Sequence, residues 1–156
     1  MKILILSDSH GNYPLVLRVI EQVGPVDSII HLGDGIEDAK LVEEILNVPV
    51  LKVAGNCDHS SSAPAELTWR IMNHTIFLAH GDKYGVKAGL KVLRQKAITE
   101  NAEVVLYGHT HCASITTNDN ILFINPGCLY KNFSPKTCAL LTLSTADAVA
   151  RIVEIS

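Results

Sequence analysis

Short unbroken apolar runs alternate along the first half of the chain with segments in which apolar residues recur every three or four positions. "KILILS" (2–7), "SIIHL" (28–32) and "VPVLKVA" (48–54) are rich in branched side chains and bounded by Gly, Asp or Asn. Strands covered on both faces have this signature. Between the first two runs, Leu15, Val16, Val19, Ile20 and Val23 fall on one helical face over Asn12–Val23, and "GP" at 24–25 closes the segment. Between the second and third, Leu41, Val42, Ile45 and Leu46 repeat that pattern over Glu37–Asn47. The order strand, helix, strand, helix, strand predicts a parallel sheet with right-handed crossovers.

The pattern changes after the polar loop "CDHSSSAPAE". "LTWRI" and "TIFLAH" flank a short "MNH" turn, and a basic helix is predicted near Tyr84–Thr99, with Leu90, Val92, Leu93, Ala97 and Ile98 as its apolar contacts. "EVVLYG", "ASITTN", "ILFINP", "TCALLTLS" and "AVARIVEIS" then read as short strands separated by turns such as "NDN" and "TAD". The prediction is an α/β sandwich of two packed sheets with outer helices, forming one domain over residues 1–156. Its first sheet is expected to be parallel and its second mostly antiparallel.

Composition narrows the function classes. Lys plus Arg number 13 against 16 Asp plus Glu, and this net charge of −3 gives no basis for bulk nucleic-acid affinity. The cysteines at 57, 112, 128 and 138 show no CxxC spacing, which is the expectation for reduced thiols in a cytosol. "MKILILSDSH" has too short an apolar run for a secretory core or a membrane span, so a cytoplasmic protein with no membrane partner is expected.

Residues with chemical potential gather where the apolar runs end. Asp8 and His10 follow the first run, Gly33 and Asp34 the second, and Asn56 and Asp58 the third; His80 ends "TIFLAH", and His109 and His111 end "VVLYGHTH". In open α/β sheets the C-terminal strand edge is where ligands bind. Side chains at i and i+2 of an extended segment point to one side, so Asp8 with His10, and His109 with His111, can each converge on one place. Carboxylates with imidazoles suit Mn, Fe, Zn, Co or Ni better than Ca or Mg. Seven such groups exceed the needs of one ion. His31, His59 and His74 read as structural, with His31 a support behind the ligands and His74 a turn residue.

Other features fit more loosely. Gly11, Gly33, Gly55, Gly81 and Gly108 each stand beside a proposed ligand, where the backbone must turn sharply. "NPGC" (125–128) is either a plain turn or a place where backbone N–H groups meet a phosphate. Lys83, Lys87, Lys91 and Arg94 make an i, i+4 stripe that reads as a solvated helix face, with substrate steering as the alternative.

In order, "DSH" (8–10), "GD" (33–34), "GNCD" (55–58), "HG" (80–81) and "GHTH" (108–111) resemble the motifs of the calcineurin-like metallophosphoesterase superfamily, above all its small bacterial and archaeal phosphodiesterases. The resemblance runs from the first strand past "NPGC". It implies two packed mixed β-sheets flanked by helices, and two divalent metal ions. Asp8, His10 and His111 would hold one ion, Asn56, His80 and His109 the other, with Asp34 between them. Asp34, Asn56, Asp58 and His109 would be the catalytic residues, Asp58 by orienting its neighbours. The implied reaction is hydrolysis of a phosphodiester by in-line attack of a metal-bridging hydroxide.

Cys57 departs from the commoner family pattern, in which His follows the Asn. A thiol is a weak donor and mostly neutral, so it cannot imitate an imidazolium. Diesters and activated esters are therefore favoured over unactivated monoesters. The alternatives are a phosphomonoesterase and a non-catalytic protein-interaction scaffold, as a retromer subunit of this fold is thought to be. The substrate is expected to be a small phosphoester, with nucleotides among the candidates, and the sequence is compatible with a homo-oligomer. Neither a G-x-G-x-x-G nor a P-loop is present.

Overall fold

Successive side chains of a strand point to opposite faces, so an unbroken apolar run has to bury two surfaces. In the computed structural model, which describes residues 1–156, the first strand β1 (Lys2–Leu6) does so. Ile3 and Ile5 enter one cluster with Ile30, Leu32, Ile76, Leu78, Val104, Leu106 and Ile124, while Leu4 and Leu6 enter another with Leu15, Val16, Val19, Ala39 and Val42. The first cluster lies between two sheets and the second lies under two helices. Complete burial of one such aliphatic side chain is worth about 1.5–3 kcal/mol.

The chain continues through α1 (Tyr13–Val23), β2 (Ser28–His31), α2 (Ile36–Leu46), β3 (Val50–Lys52), β4 (Glu66–Ile71) and β5 (His74–Ala79). A 3-10 turn at Asp82–Tyr84 precedes α3 (Lys91–Thr99), β6 (Val104–Leu106), β7 (Ser114–Asn118), β8 (Ile121–Asn125), β9 (Thr137–Leu143) and β10 (Ala148–Glu154). The first sheet has the order β10-β9-β1-β2-β3 and the second β4-β5-β6-β8-β7. Phe77, Val105 and Phe123 on the outer face of the second sheet pack with Leu93 and Ala97 of α3. The layers therefore run helix, sheet, sheet, helix, as the sequence predicts.

Strand directions differ from the prediction. β1, β2 and β3 are parallel, but β9 and β10 return to the first sheet and pair antiparallel beside β1. The second sheet keeps a parallel centre, β5-β6-β8, with β4 and β7 antiparallel at its edges. Both sheets are thus mixed. An apolar run such as "TCALLTL" shows that a strand is covered on both faces without showing which neighbour covers it.

Two helices also differ. The buried face of α2 is Ile36, Ala39 and Val42, whereas Ile45 and Leu46 are 52% and 37% exposed. The basic helix begins at Lys91 and not near Tyr84, because Gly85 and Gly89 take φ values of 59° and 131° that no helix contains. Lys83, Lys87, Lys91 and Arg94 therefore share no single helix face, and Arg94 pairs with Asp119 at 2.7 Å.

His74 begins β5 and does not form the turn, which consists of Met72 and Asn73, both at positive φ. Its buried ring spans the two sheets: Nδ1 faces Glu103 Oε2 and Nε2 faces the Ser144 carbonyl, each at 2.8 Å. Only an imidazolium donates to both acceptors. Burial works against that charge, but the Glu103 carboxylate and the carbonyl outweigh it and raise the pKa above the ordinary 6.5. The resulting stabilisation is full below the unfolded value and is lost as pH rises through the raised one. The stability difference between wild type and His74→Gln, read by urea unfolding, should therefore shrink as pH is raised from about 6 to about 9. A difference that stays constant with pH rules out the charged clasp.

Candidate metal centre

The loops after β1, β2, β3, β5 and β6 all leave at one edge, and they bring most of the predicted ligands together. Ligand atoms of Asp8, His10 and His111 lie within 4.8 Å of one another, and so do those of Asp34, His80 and His109. The convergence does not come from extended chain. Asp8, His10, Asp34, His109 and His111 have φ of 53°, 47°, 53°, 67° and 61°, all left-handed. That conformation costs a non-glycine residue about 1–2 kcal/mol, and such strain concentrates where function requires it.

Side chains of the ligand loops leave no room for a Cβ at the glycines beside them. A Cβ on Gly108 would meet Ser7 Oγ at 2.0 Å and Asp8 Oδ2 at 2.9 Å, and one on Gly55 would meet Asp34 Oδ1 at 2.2 Å. Only glycine allows the loops to approach this closely.

Each carboxylate is anchored through one oxygen and presents the other. Asp8 Oδ2 accepts from Ser7 Oγ at 2.5 Å and from the His109 amide at 3.1 Å. Its Oδ1 faces His111 Nε2 at 3.1 Å, His10 Nε2 at 3.8 Å and His80 Nε2 at 3.9 Å. Asp34 Oδ1 accepts from the Cys57 amide at 2.8 Å, and Oδ2 faces His80 Nε2 at 3.4 Å and His10 Nε2 at 3.8 Å. Burial opposes both charges. The His111 hydrogen bond and the charge of His80 nonetheless hold Asp8 below the ordinary carboxylate range, and His80 with the Cys57 amide does the same for Asp34.

The imidazoles are also aimed. His80 Nδ1 lies 2.8 Å from the Leu32 carbonyl, which takes its proton and leaves Nε2 to face the centre, 3.1 Å from His109 Nδ1. Burial disfavours charge on His80, but Asp34 and Asp8 raise its pKa on balance. Burial and then His80 lower that of His109. Tyr130 and Phe133 meet His10 and His111 edge to face at 5.0 and 5.3 Å between ring centroids. These aromatics carry no signal in the sequence.

Asn56 and Cys57 are both exposed on the loop after β3. The one side-chain hydrogen bond of Asn56 runs from Nδ2 to Cys57 Sγ at 3.4 Å. Cys57 joins His10 and Asp34 in a third cluster of possible ligands. Burial and then Asp34 push its thiol up to about 11, so without a metal it stays protonated. Asp58 points into no ligand group. Its oxygens accept the amides of Asp34 and Gly55 at 2.7 and 2.8 Å and those of Gly35 and Ile36 at 3.1 Å, which ties the β2 and β3 loops to the start of α2.

Behind the ligands runs a polar chain that the sequence reading missed apart from His31. Gly33 N–H donates to His31 Nδ1, which leaves His31 Nε2–H for Ser9 Oγ at 3.0 Å, and Ser9 Oγ–H donates to Asp38 at 2.6 Å. Burial lowers His31 to about 4, consistent with a neutral ring in that role. Asn125 binds the Gly108 carbonyl and Thr110 Oγ1, each at 3.0 Å, and accepts the Gly127 amide at 2.9 Å. "NPGC" thus braces the "GHTH" loop, and its glycine N–H is already paired. His59 is exposed on its loop. A mixed set of oxygen and nitrogen donors, with its carboxylates held ionised, fits a borderline divalent cation.

Fold and site together define a two-sheet α/β sandwich with a metal-binding edge. The model of the calcineurin-like phosphoesterase superfamily domain matches residues 1–146. A probable metallophosphoesterase of Bacillus subtilis, YsnB, is 31% identical over 99% of this chain and 91% of its own length. The phosphodiesterase YfcE of Escherichia coli is 27% identical over 96% and 92%. The structure of a predicted phosphoesterase from Streptococcus pneumoniae superposes with TM-score 0.77 at 26% identity, covering 99% of this chain and 97% of that one. Zinc-bound Vps29 from Entamoeba histolytica shares the fold, with TM-score 0.76 at 17% identity over 99% of both chains. The chain belongs to the calcineurin-like phosphoesterase superfamily, a class of metal-dependent phosphoester hydrolases. No helix is long and apolar enough to cross a membrane.

Asp58 carries a prediction of its own. Asp58→Ala leaves four backbone N–H groups without their charged acceptor and should lower unfolding stability by on the order of 3 kcal/mol. Urea titration checks this, and a loss below about 0.5 kcal/mol, the scale of an ordinary surface change, refutes the bracing role.

Proposed function

We propose that the chain is a phosphodiesterase with two divalent ions. Asp8, His10 and His111 hold one, and Asn56, His80 and His109 the other. Asp34 lies between them. The observation that carries this reading is the pair of three-residue donor groups, five of whose six members are forced into left-handed backbone. Divalent ions at such a centre neutralise phosphoryl charge and acidify water. The protein keeps Asp8 and Asp34 ionised, sets the tautomer of His80 through the Leu32 carbonyl, and restrains the rings of His10 and His111 with Tyr130 and Phe133. Mn, Ni, Fe, Zn and Co all suit the donors.

Chelation should abolish hydrolysis of bis(p-nitrophenyl) phosphate, and Mn or Ni should restore it; full activity in metal-free protein sinks the mechanism. Metal analysis should show occupancy falling at both sites in Asp34→Asn but mainly at one in Asn56→Ala. Equal single-site losses would mean that Asp34 is not shared. A protein that binds two ions and hydrolyses neither mono- nor diesters would fit the scaffold reading instead.

Cys57 sets the range of leaving groups. A neutral thiol gives an alcohol leaving group little proton assistance, so Cys57→His should raise activity on poor leaving groups roughly tenfold or more, the low end of general acid effects. Cys57→Ala should leave metal content and chromogenic diester hydrolysis nearly intact. If Cys57→Ala empties a metal site, the thiol is a ligand, as its place beside His10 and Asp34 would permit.

A further inference from the structure

A cavity of about 330 Å³ opens between the first turn of α2 and the loop after β3. It shares Glu37, Cys57 and Asp58 with the cleft that His10 and Asp34 line, so it adjoins the metal centre directly. Its volume lies within the range of about 300–1,000 Å³ usual for ligand clefts.

The lining has hydrogen-bonding capacity that the protein does not use. Asp58 is fully engaged by backbone amides, but Glu37 is not: Lys40 Nζ meets Oε1 at 2.7 Å, and Oε2 makes no hydrogen bond. Ser61 Oγ accepts the Ala63 amide at 3.0 Å and still has its own proton to donate. Ser60 and His59 are exposed at the same wall. Hydroxyl donors and acceptors around one free carboxylate oxygen suit a neutral ligand with several hydroxyl groups. A second phosphate would meet the Glu37 charge.

Resting on the phosphodiesterase reading, we infer that this cavity receives one alcohol part of the diester and that this alcohol carries a vicinal diol bound by Glu37. The free Oε2 has lone pairs for both hydroxyls of such a diol, and an acidic residue reads the ribose 2′-hydroxyl in dinucleotide sites.

The test compares the p-nitrophenyl esters of uridine 5′-phosphate and 2′-deoxyuridine 5′-phosphate, which differ by one hydroxyl and release the same chromophore. Metal-loaded wild type should favour the ribo ester in kcat/KM by about tenfold, the low end for a hydrogen bond to a charged group. The preference should appear in KM, and Glu37→Ala should bring the ratio to about 1. The p-nitrophenyl ester of glycerol 3-phosphate carries a diol without a sugar ring. Glu37 dependence with either diol ester supports the assignment and identifies whether sugar or glycerol is the source. A ratio near 1 in wild type together with no Glu37 dependence on the glycerol ester overturns it, as does a ribo preference that survives Glu37→Ala or an equal loss on all three esters.

Saturation-transfer NMR with uridine and 2′-deoxyuridine on metal-free protein reads the cavity apart from hydrolysis. Uridine contact that Glu37→Ala removes, with no ester hydrolysed, would sink the phosphodiesterase reading and leave the cavity assignment standing. Hydrolysis of every ester with no Glu37 dependence on either diol ester would do the reverse.

Discussion

The Asp8 carboxylate has no solvent exposure, and a buried ion costs several kcal/mol unless its oxygens are matched by donors or cations. Everything around the centre answers that requirement. Ser7 and the His109 amide take one oxygen, and three imidazole nitrogens within 3.9 Å face the other. These partners come from the loops after β1, β5 and β6, so two sheets must meet at one seam for the charge to be tolerated. A site assembled in this way is a property of the sandwich and of neither sheet alone.

Strain at the ligands is the second consequence. Five left-handed residues would be untenable on a mobile loop, and three braces hold them. Asp58 ties the β2 and β3 loops to α2, the His31–Ser9–Asp38 chain supports the β1 and β2 loops from behind, and Asn125 supports the "GHTH" loop. The braces rest in turn on the inter-sheet core, where Ile3, Ile5, Leu78, Leu106 and Ile124 are fully buried. Apolar burial distant from the chemistry thus offsets the cost of a strained, charged edge. At the rim the braces end: Asn56, Cys57, His59 and Ser60 are exposed, and this is where an organic part of a substrate has room.

Much of this was legible in the sequence. Unbroken apolar runs mark strands covered on both faces, and the ends of five of them mark where the metal-type side chains converge. The helical face of α1 was also legible, because Leu15, Val16 and Val19 follow the helical period. α2 was legible as a helix and in Val42, but not in the rest of its inward face, because the Leu41–Leu46 stretch is equally apolar on the side that stays exposed. Tyr130, Phe133 and Asp38 gave no signal, because each matters only through a partner far away in the chain.

By itself the sequence determined which segments are buried and which donor atoms stand at their ends, since period and side-chain chemistry are local properties of the chain. Tertiary structure decided the rest: that β9 and β10 join the first sheet, that the ligand pairs converge through left-handed turns instead of extended chain, and that His74 clasps two sheets instead of turning between strands. The physical reason is that a strand's neighbour and a buried polar group's partner are chosen among segments far apart in sequence. His109 reaches Asp8 across 101 residues, and no local pattern encodes that meeting.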